Sequence, residues 1–74
     1  MKIDKYKSMK DLFRSFGYEI IDIQEDDFSV GIFDGWVIFE MISTGLQYEM
    51  SWSNAQYCRT QNDIENESAI YTEN

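Results

Sequence analysis

The strongest constraint on this sequence is the dipeptide Asp34-Gly35, which lies between two runs rich in β-branched and aromatic residues. Asp-Gly is a preferred two-residue hairpin loop, because a type I′ turn needs positive φ at both central positions. The sequence therefore predicts a hairpin with strands over residues 28–33 and 36–42, in which Phe33 lies opposite Trp36. Side chains alternate between the two faces of such a ribbon. One predicted face is wholly apolar, with Phe28, Val30, Ile32, Val37, Phe39 and Met41, and the other carries Ser29, Gly31, Phe33, Trp36, Ile38 and Glu40.

A short helix and a first strand are predicted before this hairpin. Ser8 and Asp11 have the spacing of a capping box, and Gly17 is suited to the left-handed position that ends a helix. Residues 18–24 are rich in isoleucine and predict a strand, and residues 24–27 predict a turn. The helix has a single apolar stripe that needs a sheet to pack on, formed by Met9, Leu12, Phe13 and Phe16.

A Ser-Thr-Gly sequence after the hairpin predicts a second turn, and residues 46–52 then predict another strand. Two registers are open at this point. A two-residue loop places Tyr48 beside Met41 on the apolar face, whereas a three-residue loop moves it to the other face. We favour the two-residue loop because it extends the predicted core, although it also sets Glu40 opposite Glu49, which is an unfavourable pairing.

The signals weaken towards the C-terminus. Residues 56–60 predict either a fourth strand or one turn of helix, and Asn62-Asp63-Ile64-Glu65 resembles a capping box. Residues 61–74 are expected to be either a short docked helix or a flexible acidic tail, and residues 1–7 a basic arm. The chain as a whole, residues 1–74, is expected to be a single small α+β domain: a short N-terminal helix packed on a three- to four-stranded antiparallel β-meander.

The charge is strongly acidic and unevenly distributed. The net charge is −8; five of the six basic residues precede position 18, whereas twelve of the fourteen acidic residues follow it. Such a field attracts a basic partner and opposes direct binding to nucleic acid. Acidic charge also keeps small aromatic-rich proteins in solution, so the charge by itself does not establish a binding function.

Several classes of function are disfavoured by composition. With no histidine and only Cys58, the chain has neither a disulfide framework nor an ordinary zinc site, and it has no base to activate a nucleophile. The acidic run over residues 22–27 lacks the glycine of a calcium-binding loop. We therefore expect no catalytic residues, no metal and no cofactor. Because no long apolar segment is present, we also expect a cytoplasmic protein without a membrane partner.

What remains is recognition of another protein. Aromatic and apolar side chains near the predicted hairpin tip are surrounded by carboxylates, which is the composition of a protein-binding hot spot. The alternative is that this face is covered by other elements and forms a second layer of the core. The predicted partner-binding residues are Asp26, Asp27, Phe33, Asp34, Trp36, Ile38, Glu40 and Glu49.

In size, charge and lack of catalytic residues, the chain resembles the small phage-encoded proteins that inhibit host defences, among them anti-CRISPR proteins and DNA mimics. That resemblance implies an inhibitor that occupies a basic or nucleic-acid-binding surface of a larger protein in the host bacterial cytoplasm. Its carboxylates would stand in for phosphates, with Trp36 and Phe33 as anchors. Two other readings stay open: a homodimer that pairs through the aromatic sheet face, and an adaptor whose basic arm and acidic sheet contact different partners.

Overall fold

Over the residues that the structure describes, the fold is a four-stranded antiparallel sheet with three short helices. The computed structural model describes residues 6–27 and 33–72, except for the side chains of residues 25–27, 33 and 34. Within the sheet the strands lie in the order β1-β2-β3-β4, which confirms the predicted α+β class. In chain order the elements are α1 (Lys7–Ser15), β1 (Tyr18–Asp27), β2 (Phe33–Met41), β3 (Gln47–Ser51), α2 (Trp52–Tyr57), α3 (Gln61–Glu67) and β4 (Ala69–Ile70).

Helix α1 forms where the apolar stripe predicts it, but the predicted capping box is wrong. The N-cap residue is Tyr6, which makes no side-chain cap hydrogen bond, so Ser8 lies inside the first turn. The Asp11 carboxylate instead accepts a hydrogen bond from Lys7 Nζ at 2.7 Å, one helical turn away. At the other end Gly17 has φ 89° and its N–H donates to the carbonyl of Arg14 at 3.0 Å, as predicted for a glycine that ends a helix.

The largest correction concerns the Asp34-Gly35 turn. Both residues lie inside β2, where their Cα partners on β1 are Asp26 and Glu25. Among the described residues only glycines have positive φ, so Asp34 does not have the backbone of a type I′ turn. The turn predicted over residues 24–27 is also wrong, because β1 continues to Asp27. Of the strand predicted over residues 28–33, residues 28–32 lie outside the described residues, and Phe33 is the first residue of β2.

The ladder between β1 and β2 explains why the local turn signal does not prevail. Nine positions of β1 pair with β2, and Ile20 and Ile23 lie beside Phe39 and Val37 at its centre. A turn at Asp34 would break this ladder. The pairing is interrupted once, between Ile20 and Asp22, where Ile21 is an extra residue that forms a β-bulge.

Strands β2 and β3 are joined by a loop longer than either predicted loop. The N–H of Met41 donates to Leu46 at 2.9 Å and the N–H of Gly45 donates to Met41 at 2.8 Å, so residues 42–45 form the connection. Phe39 therefore pairs with Tyr48, a register shifted by two positions from the favoured one. Because side chains alternate with period two, this shift leaves every side chain of β3 on its predicted face.

The shift also removes the predicted opposition of two glutamates. Glu49 pairs with Ile38 on β2 and with Ala69 on β4, whereas Glu40 pairs with Gln47. Like charges directly opposite each other on a sheet are destabilising, so the longer loop gives the more favourable pairing.

The C-terminal segment is helical and then extended. Trp52 starts α2 rather than ending β3. Of the two alternatives predicted for residues 56–60 the strand is wrong, because residues 56 and 57 are the last two of α2 and α3 begins at Gln61. In α3 the capping box is present but begins at Thr60 rather than at Asn62: the Asp63 N–H donates to Thr60 Oγ1, and the Thr60 N–H donates to Asp63 Oδ2, both at 3.1 Å. Of the two alternatives for this segment, the docked helix is present.

All three helices bury their apolar residues against the same face of the sheet. Phe13 of α1, Ala55 of α2 and Ile64 of α3 are at most 1% exposed and belong to one core cluster. From the sheet this cluster receives Val37, Phe39 and Met50, as the predicted apolar face requires, and its other fully buried members are Tyr18 and Cys58.

The capping box predicts a specific pH dependence of stability. Hydrogen bonds from the backbone amides of Arg59 and Thr60 hold the pKa of Asp63 below its ordinary value. A carboxylate with a lowered folded-state pKa stabilises the fold above its unfolded pKa, and that stabilisation is lost as the pH falls through the folded value. We expect Asp63→Asn to lower the melting temperature at pH 7, and the difference from wild type to shrink on acidification to about pH 3.

Thermal unfolding followed by circular dichroism at both pH values checks this expectation. Glu65→Gln is the matched control, because it removes one carboxylate from the same helix without touching the cap. An Asp63→Asn variant as stable as wild type at pH 7 would contradict the role of the cap.

Candidate protein-binding face

The side of the sheet that faces away from the helices is defined by the alternation of β2. Val37 and Phe39 are buried in the core, so Trp36, Ile38 and Glu40 project from the opposite side. Their partners on β1 and β3 project from the same side and complete three rows across the sheet. We call these nine residues the outer face: Gln24, Trp36 and Ser51; Asp22, Ile38 and Glu49; and Glu19, Glu40 and Gln47.

The outer face has an apolar centre and one exposed aromatic residue. Ile38 lies in the middle row between Asp22 and Glu49 and is only 7% exposed. Trp36 lies in the adjacent row between Gln24 and Ser51 and is 48% exposed. The indole is therefore the large apolar group of this face that a partner could still bury.

Four carboxylates lie in the two rows beyond the indole. Asp22 and Glu49 flank Ile38 on either side; since strands lie about 4.8 Å apart, their Cα atoms are roughly 10 Å from each other. In the next row Glu19 and Glu40 are direct cross-strand partners. Such like-charge pairs are unfavourable in the free protein and favour a cation placed beside them.

Two contacts among the described residues compensate part of this charge. Arg14 Nη2 lies 3.4 Å from Glu19 Oε1 in an exposed ion pair, and Gln24 Nε2 donates to Asp22 Oδ2 at 3.1 Å. An exposed pair of this kind contributes little to stability. The outer face therefore keeps a predominantly negative character.

The structure brings four of the predicted site residues together. Trp36, Ile38, Glu40 and Glu49 are neighbours on the outer face. The other four, Asp26, Asp27, Phe33 and Asp34, lie at the far end of the β1–β2 ladder, where Asp26 pairs with Asp34 and Asp27 with Phe33. The side chains of these four lie outside the described part of the structure.

The predicted opposition of Phe33 and Trp36 is wrong, because the two residues lie on one continuous strand. The role of Phe33 as a second anchor beside the indole stays a prediction, because its side chain lies outside the described part of the structure.

Sequence reasoning missed Glu19 and Asp22 as members of this face. Without a bulge, Asp22 would lie on the same side as Ile20, in the core. The extra residue at Ile21 changes the alternation, so that Asp22 projects outwards while Ile23 returns to the core side. The signal was present in the sequence as two adjacent isoleucines followed by a third after one aspartate, a pattern that breaks strict alternation.

The alternative that the outer face is a second core layer receives no support from the helices. Their buried residues, Phe13, Ala55 and Ile64, all belong to the cluster on the opposite side of the sheet. On the outer face the described side chains range from buried Ile38 to half-exposed Trp36 and exposed Asp22 and Glu19.

The Cys58 thiol lies in the core, where it is poorly reactive. Burial, followed by the nearby charges of Asp63 and Glu67, raises the pKa of the Cys58 thiol, which is 1% exposed and lies 3.4 Å from the Asn54 carbonyl. A protonated, buried thiol is a poor nucleophile.

Over residues 6–27 and 33–72 no group of three or more potential metal-binding side chains is arranged to hold an ion. None of the helices described above has the length and apolarity to cross a bilayer.

Comparison of the chain with known protein families, with curated proteins and with solved structures returned no match. The outer face combines a half-exposed indole with several carboxylates.

Proposed function

We propose that this protein is a small acidic inhibitor that binds a basic or nucleic-acid-binding surface of a larger protein through its outer face. The observation that carries the proposal is a half-exposed Trp36 next to four carboxylates, on the side of the sheet that faces away from the helices. Trp is enriched among residues that dominate binding energy, and carboxylates around it select a partner rich in Lys and Arg.

The two kinds of group have different roles in this proposal. Burial of the Trp36 indole supplies affinity, because large aromatic side chains release much apolar surface from water. The carboxylates of Asp22, Glu40 and Glu49 steer the encounter and exclude acidic partners, since charge complementarity acts mainly on association rate and specificity. Both act sterically and electrostatically, so inhibition needs no chemical reaction.

A narrower form of the proposal is that the chain is a phage-encoded anti-defence protein of the anti-CRISPR or DNA-mimic type. Its support is the length of 74 residues, the net charge of −8 and the absence of histidine. Carboxylates spaced across the outer face would occupy basic side chains that otherwise bind phosphates. The partner would then be a nucleic-acid-binding protein of the bacterial host.

The test begins with affinity capture from bacterial lysate and continues with the captured protein in purified form. We expect Trp36→Ala to weaken binding about 30-fold, as for a hot-spot residue worth about 2 kcal/mol. The double reversal Glu40→Lys/Glu49→Lys is expected to weaken it by at least about tenfold, and the affinity of the wild type to fall with added salt.

Glu67→Lys is the matched control for the charge reversals, because it changes an exposed glutamate of α3 away from the outer face. Equal losses for Glu67→Lys and for the double reversal would assign binding to overall charge and not to this face. Binding that is insensitive to both salt and Glu40→Lys would contradict charge mimicry.

The alternative proposal is a homodimeric structural or adaptor protein that pairs through the same surface. The exposed indole favours a contact, but a two-fold pairing would place two copies of the same acidic face against each other. Sedimentation at several concentrations distinguishes the two. A monomer throughout supports the inhibitor, and a concentration-dependent dimer disrupted by Trp36→Ala supports the alternative.

A further inference from the structure

Three exposed aliphatic residues lie near one end of the sheet, apart from the outer face. Ile42 is 54% exposed, Leu46 52% and Ile70 70%. The loop over residues 42–45 brings the first two together, because the Met41 N–H donates to the Leu46 carbonyl at 2.9 Å. Ile70 is close by in the register, since it pairs with Tyr48, two positions after Leu46.

Beside these residues is a groove on the helix side of the sheet. It has a volume of about 260 Å³ and is lined by Tyr18, Met41, Tyr48, Glu65, Ser68 and Ile70. Pockets for small-molecule ligands usually measure about 300–1,000 Å³, so this groove suits one protruding side chain better than a cofactor.

The lining of this groove combines aromatic, aliphatic and acidic groups. Tyr18 and Tyr48 supply rings, and Met41 and Ile70 supply aliphatic surface. Glu65 is the charged residue among the six lining residues and is itself exposed. Burial raises the pKa of the Tyr18 phenol, and a hydrogen bond with Gln61 opposes that shift. The negative charge of Glu65 also raises the pKa of Tyr18, which indicates that the carboxylate lies near the phenol.

We propose that this groove binds one arginine side chain of a basic protein partner. A guanidinium group stacks on tyrosine rings and pairs with a carboxylate, while its aliphatic stem packs on apolar side chains. The lining offers all three: the partly exposed ring of Tyr48, the carboxylate of Glu65, and Met41 with Ile70, while Tyr18, which is 2% exposed, forms the floor of the groove. The net charge of −8 attracts the same kind of partner.

The inference rests on the proposed function for the source of the arginine, but it concerns a different surface. Tyr48 projects to the core side of β3 and Glu49 to the outer face, so the groove and the outer face lie on opposite sides of the sheet. Each can therefore be altered without changing the other.

The experiment is an NMR titration of the isotope-labelled protein with N-acetyl-arginine amide. We expect saturable shifts of the backbone amides of Tyr48, Ser68 and Ile70, smaller shifts with N-acetyl-lysine amide and none with the uncharged citrulline analogue. Glu65→Gln should weaken binding about fivefold, the upper range for an exposed ion pair. Glu67→Gln is the matched control on the same helix and should leave the affinity unchanged.

Three results would overturn the inference: shifts confined to amides of the outer face, equal binding of the citrulline or lysine analogue, or equal losses for Glu65→Gln and Glu67→Gln. Repeating the titration on Glu40→Lys/Glu49→Lys separates the two proposals. Groove shifts that persist in this variant support the arginine site even if the outer face proves not to bind a partner.

Discussion

Phe39→Ala is expected to remove a large fraction of the free energy of unfolding. Phe39 is fully buried, and its ring centroid lies 5.2 Å from that of Phe13, 5.3 Å from Tyr18 and 5.8 Å from Tyr48. Truncation of a buried Phe to Ala typically costs about 3–5 kcal/mol. At about 0.05–0.15 kcal/mol per residue, a chain of 74 residues has a total stability of only roughly 4–11 kcal/mol.

Urea denaturation followed by circular dichroism measures this loss, and Ile42→Ala is the control. Like Phe39, Ile42 is a large apolar residue, and it follows β2 directly. Because Ile42 is 54% exposed, its truncation should change the free energy of unfolding by less than about 1 kcal/mol. A Phe39→Ala variant as stable as Ile42→Ala would show that Phe39 is not at the centre of the core.

The position of Phe39 in the core was predictable from the sequence because alternation is a local property. Val37 and Phe39 are separated by one residue on a single strand, so they share a face wherever the strand pairs. The same argument placed Tyr48 and Met50 correctly, although the loop before them is longer than predicted. A shift by an even number of residues changes partners without changing faces.

Pairing partners were not predictable, because they depend on segments distant in sequence. The Asp34-Gly35 signal describes a local preference, whereas β1 offers β2 a ladder of nine paired positions with isoleucines against the core. Breaking that ladder to form a turn would leave backbone N–H and C=O groups of the strands unpaired. The free-energy cost of these unpaired groups exceeds the stabilisation that a favourable turn provides. Tertiary pairing therefore outweighs turn propensity here.

The candidate site was partly predictable for the same reasons. Trp36, Ile38 and Glu40 share a face through alternation alone, and Glu49 joins them through a register shifted by two. Asp22 required the bulge at Ile21, and a bulge appears in a sequence only as a break in the pattern. Because two adjacent isoleucines project to opposite faces of a strand, either set of alternating residues in β1 could face the core. The sequence therefore did not show which residues of β1 project outwards.

Val37→Asp is expected to abolish folding at pH 7, whereas the neighbouring change Trp36→Asp leaves the fold intact. Val37 is 0% exposed and lies between Ile23 on β1 and Met50 on β3. A buried polar group without a partner costs roughly 2–7 kcal/mol, and loss of the valine side chain costs about 1.5–3 kcal/mol more. Together these approach or exceed the whole stability of a domain of this size.

Trp36→Asp introduces the same carboxylate one position away, on the outer face, where water still solvates it. We expect this variant to keep the circular dichroism spectrum of the wild type and a melting temperature within a few degrees of it. Comparison of Val37→Asp with Trp36→Asp therefore tests which side of β2 faces the core. The opposite result, a folded Val37→Asp and an unfolded Trp36→Asp, would place Trp36, Ile38 and Glu40 inside the protein and remove the surface on which the proposed inhibitor function depends.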